Sequence, residues 1–485
     1  MNRDCLHTLA VNLTYVFKVE RPDFLYHFLE PLSSFPSPFP SPSPSPSSSS
    51  PSFSSSSPPS SPSPPSPQNY PKKNKTRSQF HHYIPQFILK TFADNFTLDK
   101  TVFISSTPSQ DPSGFEPSTP KKPKSKKRPN YYINVCLVKY QTKELVNTAH
   151  VYGVKDIYRD FTEDDCMKFE KLLSKHECTS STFIRQVWDE ETDLSLTRAQ
   201  LSSMKRFLVV MMYRGERRRS QYFDQNFEPL TEMSVKKHME HKRLPSVPSV
   251  WFDNLKWIIE ASPETLLMEF TSVCKARKKS MSPTALIRSY RGPIHGVEME
   301  VFGCIMSGSI ACIWQAEKGS EFILTEGCYG AWDGDVGIQY HHLFIVSSRF
   351  AIVLVNKVYL EERTKRNLRY ISWFGDHLHT HPVTEYKNEP LPENFNIKTD
   401  YSHLATDDVF KYKRIVVPKE DVYRVNSISI DDNPQTLTYK SSISMYKSLR
   451  YYDKVKEDLF HDCIDYSSLR RKLFSDLNRT HQAEQ

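Results

Sequence analysis

"HHYIPQFILKTF", His81 to Phe92, is where the chain passes from low complexity into foldable sequence. Proline keeps the residues before it extended and can sit in the first turn of a short helix, a place that Pro85 fits. Phe87, Ile88, Leu89 and Phe92 then recur at spacings that turn one helical face toward a core. His81, His82 and Tyr83 are therefore expected in an extended lead-in, fixed by a helix that staples the start of the folded region to its body.

Everything before this stretch has a different composition. Residues 31–67 hold 14 of the 34 prolines, most of the rest being serine. Such a tract supplies neither donors nor apolar area enough to offset the entropy of ordering, so residues 1–70 read as a disordered Pro/Ser-rich region, partly polyproline II. The earlier run "LHTLAVNLTYVF" is a poor secretory signal, because Asp4 stands in the would-be basic region and no small-x-small cleavage site follows. No run reaches the roughly 18 apolar residues of a membrane span, so a soluble protein without membrane association is expected. Nine cysteines without a C-x-x-C pair suit an intracellular protein, nuclear or cytoplasmic, with most of them small buried hydrophobes.

The net charge of +8 is local. Residues 70–129 carry twelve Lys/Arg against four Asp/Glu, whereas residues 130–485 carry 49 against 48. The excess is concentrated in a Pro-broken cluster, Lys121, Lys122, Lys124, Lys126, Lys127 and Arg128, which has the character of an import-receptor signal, a phosphate-binding arm or a solubilising loop. A neutral body argues against a dedicated nucleic-acid reader.

Downstream the patterns alternate. Ile133, Val135 and Leu137, then Leu145, predict a hairpin with "QTKE" as its turn. Thr162 and the acids after it predict a helix start, followed by Phe169, Leu172, Leu173, His176, Phe183, Ile184 and Val187 at helical spacing. A second helix runs through Leu201, Met204, Leu208 and Met211 to Arg214, Arg217, Arg218 and Arg219, cations expected to lie on the surface at its C-terminal end. "SIACIWQA", "SEFILTEG" and "HHLFIVSSRFAIVLV" predict strands, and "PKEDVYRVNSISI" and "SISMYKSLRYYDKVK" predict helices. Without regular βαβ alternation this is an α+β domain with a central mixed or antiparallel sheet and helical clusters. One globular unit over 78–460 is expected, with a mobile basic insert at 105–129 and a partly helical tail at 461–485.

With its His-Tyr-x-Pro lead-in, "HHYIPQFILKTFAD" resembles the opening motif of the domain of unknown function 4238 family. In colinear order, "FEKLLSKHE", "MMYRGERRRS", "EFILTEGCYGAW", "YHHLFIVSSRFAIVL" and "DDVFKYKRIVVPKEDVYRVNSISI" resemble its fungal-type pattern. The resemblance implies one domain of about 370 residues and no activity, the family having no established one. Two departures stand out: Thr325-Glu326-Gly327 where the pattern has Thr-Asp-Asn, and Ile345-Val346-Ser347-Ser348-Arg349 where it has Pro-x-Ser-Pro-Arg.

Three function classes remain. The leading one is an interaction or scaffold-type protein. The second is a metal-dependent phosphodiester hydrolase, with His82 as general base or ligand, Tyr83 beside it, and Glu326, His341 and Arg349 arriving from the central strands. The third is a nuclear nucleic-acid-associated factor. If a divalent metal is bound, a rival position is "GDHLHTHP", where His377, His379 and His381 would share one face of an extended segment. No phosphate-binding Gly-rich loop or nucleophile elbow is present in the sequence.

Overall fold

The structure, a computed structural model, describes residues 78–94, 130–158, 167–190, 193–278, 285, 289–335, 338–357, 372–387, 405–459 and 464–484. The Pro/Ser tract, the basic cluster at 121–128 and the helix start at Thr162 lie outside them. The elements run β1 (Phe80–His82), α1 (Gln86–Leu89), β2 (Tyr132–Leu137), β3 (Thr142–Asn147), β4 (Gly153–Lys155), α2 (Lys168–Trp188), β5 (Leu194–Thr197), α3 (Arg198–Arg214), α4 (Glu216–Phe223), α5 (Pro229–Lys242), α6 (Val247–Glu260) and α7 (Pro263–Lys278). They continue with α8 (Gly296–Gly308), β6 (Ser309–Ala316), β7 (Leu324–Thr325), β8 (Ala331–Asp335), β9 (Ile338–Ile345), β10 (Phe350–Asn356), β11 (Val383–Glu385), β12 (Val409–Tyr412), β13 (Arg414–Val417), α9 (Lys419–Asp431), β14 (Thr436–Tyr439), α10 (Ser442–Leu459) and α11 (Ser467–Glu484).

The fold is α+β. Its largest sheet has the order β13-β6-β10-β9-β8, and the other sheets are β3-β2-β14-β7, β11-β12-β5 and β1-β4. Among the described residues every ladder is antiparallel except β13 against β6. The central strand β10 is buried along Phe350–Val355. A continuous apolar run, rather than an alternating one, is what a strand covered on both faces requires. The helical sector packs on the same core: Met204, Phe207, Leu208 and Met211 of α3 are all fully buried. That helix begins with a capping box in which Thr197 and Gln200 exchange side-chain and backbone bonds.

Two local expectations change. The hairpin turn comes earlier than "QTKE": Val138–Tyr140 form a 3-10 turn, Gln141 takes a left-handed φ of 50°, and Thr142 to Glu144 already belong to β3. The register Leu137↔Thr142 leaves only that turn between the strands. The closing segment, expected as a partly helical tail, is the helix α11, whose Leu469 and Leu473 are fully buried with Cys136, Leu437 and Leu449 in a second apolar cluster.

Candidate functional site

The opening motif adopts the extended lead-in and short helix that its sequence requires. β1 pairs with β4, and Tyr83 N–H extends the ladder by donating to Tyr152 O at 2.9 Å. Gly153 permits this approach, because a Cβ there would lie 2.5 Å from His81 O. Pro85 stands just before α1 and accepts from Leu89 N–H, and Ile88, Leu89 and Phe92 are fully buried. His81 accepts from Tyr158 N–H through Nδ1 at 3.1 Å. His82 Nδ1 lies 3.0 Å from Val151 O, a pure acceptor, so Nδ1 carries the proton and donates. Its Nε2 then accepts from Gln86 Nε2 at 2.9 Å. Burial pulls the imidazole below its ordinary value, against the pull of the Val151 carbonyl, which favours the charged ring.

Behind the motif stands Arg214, fully buried, which the sequence pattern places on the surface. Its Nε donates to Tyr83 O at 2.7 Å and its Nη1 to Glu177 at 2.5 Å. The chain bends at Gly215 and starts α4, so the three arginines on that short helix face in different directions and meet partners on different elements. Arg217 pairs with Asp432 at 2.5 Å, Arg218 pairs with the buried Glu298, and Arg219 pairs with Glu216. An arginine run is thus used for internal ties rather than for solvation. Helical periodicity carried no sign of this, since it sees a charge and not the buried carboxylate that waits for it. Glu326 is close enough to Tyr83 to raise its phenol, second to burial itself. Its own carboxyl is pushed up to about 7 by burial, although Gln435 and Thr436 N–H groups donate to it.

The other expected residues belong to a second centre. His341 on β9 faces Asp333 on β8 across the ladder, and both are buried. Their Nδ1 and Oδ2 atoms are 2.8 Å apart, so His341 donates to the carboxylate. On its far side His341 Nε2 lies 2.6 Å from His379 Nε2. The ring centroids are 4.7 Å apart with planes 21° from parallel, the geometry of two rings meeting edge to edge in nearly one plane, as a straight N–H···N bond requires. Ser372 O–H donates to Asp333 at 2.9 Å, and Trp373 N–H donates to it at 3.3 Å. Trp314 donates its indole N–H to Leu378 O at 2.9 Å. The result is a chain from a buried carboxylate through a buried histidine to a half-buried one.

His82 and His341 therefore sit on different sheets with different partners. Tyr83 and Glu326 are neighbours, but Arg349 turns to Glu317 O at 3.4 Å and to Glu190 at 3.8 Å. The extended geometry expected for 377–381 is replaced by a 3-10 turn at Asp376–Leu378, which leaves His377 and His381 exposed and sends His379 inward. Among the described residues no group of three or more His, Cys, Asp and Glu is arranged to hold a metal ion. Asp333 was missed in the sequence. Its signal is the hairpin itself, which sets it opposite His341 once the register is known.

The sequence profile of the family described as "Protein of unknown function (DUF4238)" matches residues 81–442, from the first histidine of the opening motif to the start of α10. The chain belongs to this family. Both polar centres lie within the matched DUF4238 region: His82, Tyr83, Glu177, Arg214 and Glu326 in one, Asp333, His341 and His379 in the other. No curated protein and no solved structure matches the chain. Among the described residues no helix is long and apolar enough to cross a membrane.

Proposed function

We propose that the family domain acts as an interaction module whose partners add to the outer strands of its sheets. The supporting observation is that three outer strands each carry an aliphatic side chain more than half exposed: Leu145 on β3, Val383 on β11 and Val416 on β13. One such residue would be ordinary surface. The same feature on the outer strand of three sheets suits recognition by strand addition, in which main-chain bonds give affinity and the alternating side chains give specificity. The motif side chains fit this reading, since His82, Arg214 and Glu326 hold the scaffold together from within. The test replaces Leu145, Val383 and Val416 singly by lysine. Surface changes of this kind should move stability by no more than about 0.5 kcal/mol. At least one should lose proteins that co-purify with the unaltered chain; an identical set for all three variants would defeat the reading. The cluster from Lys121 to Arg128 is assigned in the same proposal to an import receptor. Its six cations replaced by alanine should shift a tagged protein from nucleus to cytoplasm.

A second reading is favoured by the Asp333–His341–His379 chain. With His341 Nδ1–H held by the carboxylate, His341 Nε2 accepts from His379 Nε2–H, so the half-buried His379 ring ends a chain that begins at Asp333. A proton taken by His379 makes an imidazolium that the ionised Asp333 stabilises through His341, the way a buried carboxylate supports a general base without itself being protonated. This arrangement suits hydrolysis of an ester such as a phosphodiester, with the general base moved from His82 to His379. Turnover of bis-p-nitrophenyl phosphate with and without magnesium or manganese, by the unaltered chain, His379→Gln and His341→Gln, decides it. Absence of turnover under every condition refutes it.

A further inference from the structure

The inner face of α2 carries a group of polar atoms that the fold itself does not satisfy. Arg214 uses Nε and Nη1, but its Nη2 meets no partner. The Tyr158 hydroxyl, Glu170 Oε2 and His176 Nε2 are likewise shielded from solvent and without a hydrogen bond. Tyr158 is 1 % exposed and Arg214 0 %, so neither is a surface group that water reaches freely. They lie close together: Arg214 is bonded to Glu177 of α2 at 2.5 Å, the Tyr158 ring packs at 5.7 Å against Phe169, the neighbour of Glu170 on that helix, and Arg214 acts electrostatically on Tyr158, Glu170 and His176. Glu170 and Glu177 are seven residues apart, two turns along one helix face. Buried polar groups are almost always paired, and several unmet ones on converging side chains mark a place that something else fills.

The identity of these atoms restricts what fits. Arg214 Nη2–H and Tyr158 O–H are donors and call for an anionic oxygen; Glu170 Oε2 is an acceptor and calls for a donor. A simple anion would meet Glu170 and Glu177, and a simple cation would meet Arg214. A molecule bearing both charges meets neither objection. We infer that this site holds a small zwitterion of the α-amino acid class, its carboxylate on Arg214 Nη2 and the Tyr158 hydroxyl and its ammonium on Glu170. Glu177, which holds Arg214 Nη1, retains 26 % exposure.

The test uses the full-length chain and three probes: the twenty common L-amino acids, acetate alone and methylamine alone, followed by melting temperature and calorimetric titration. At least one amino acid should raise the melting temperature by several degrees, and neither acetate nor methylamine should. Tyr158→Phe removes a hydroxyl that bonds to nothing in the fold, so its melting temperature without ligand should not fall, while affinity should drop about tenfold. Glu170→Gln should weaken binding at least as much and keep the native near-ultraviolet spectrum. The inference is overturned if no amino acid shifts the melting temperature, the site then holding only water. It is equally overturned if both variants bind as the unaltered chain does.

Discussion

Replacing Arg214 by methionine removes the charge and keeps much of the side-chain volume, so its cost isolates the polar role of this residue. Two partners are stranded. The Tyr83 carbonyl loses the 2.7 Å bond from Nε, and an unmet buried acceptor costs about 1–3 kcal/mol. Glu177 loses a 2.5 Å ion pair. Breaking a fully buried pair costs about 3–5 kcal/mol, but the residual exposure of Glu177 lets water take over part of that. The expected total is about 3–5 kcal/mol, a large share of the 5–15 kcal/mol typical of a domain. Glu177→Gln keeps an acceptor for Nη1 and should cost about 1 kcal/mol. A double-mutant cycle should return a coupling of about 1–3 kcal/mol. Urea unfolding followed by tryptophan fluorescence, at low and high salt, measures all four corners. A loss below about 1 kcal/mol for Arg214→Met, or one that disappears in high salt as a surface pair's would, refutes the buried-hub argument.

Phe92→Ala empties a fully buried position behind the opening motif and should cost about 3–5 kcal/mol in the same urea assay. Glu326 gives a pH signature. Its carboxyl rises from 4.5 to about 7 on folding, so between those values the folded chain keeps a proton that the unfolded chain releases. Its contribution is complete below about 4.5 and lost as pH rises through 7, and melting temperatures of Glu326→Gln from pH 4 to 8 should lose that part of the slope. Limited proteolysis should leave one core that begins near 78 and retains the packed helix α11, first cut within 105–129, a plan that rests on composition and on the burial of Leu469 and Leu473; two separable halves of equal resistance would contradict it.

Much of the fold was legible because its signals are local. The stripe Phe169, Leu172, Leu173, His176, Phe183, Ile184 and Val187 marks α2, and all of them are buried except Leu172, which is partly so. Strands β6, β9 and β10 announce themselves as apolar runs. The polar centres were not legible for the opposite reason. Arg214 reads as a helix-end cation until Glu177, 37 residues earlier, is seen beside it. His341 and His379 read as members of two rival sites until a turn at Asp376–Leu378 brings their rings end to end. Pairings between elements decide these contacts, and periodicity within one element carries no record of them.

The sheet β3-β2-β14-β7 sets an order of events for synthesis. Its inner strand β2 needs β14 for a neighbour, and Leu137 pairs with Thr436 across nearly three hundred intervening residues. A ribosome adds about 5–20 residues per second, so the hairpin β2–β3 emerges on the order of tens of seconds before the strand that covers it. Contacts this distant in sequence also close slowly. During that interval the growing chain displays an open strand edge with Ile133 and Val135 uncovered, residues that are buried in the finished domain. Stalled chains ending before Thr436 should therefore be far more protease-sensitive than chains released at full length, and they are the species on which a chaperone would act.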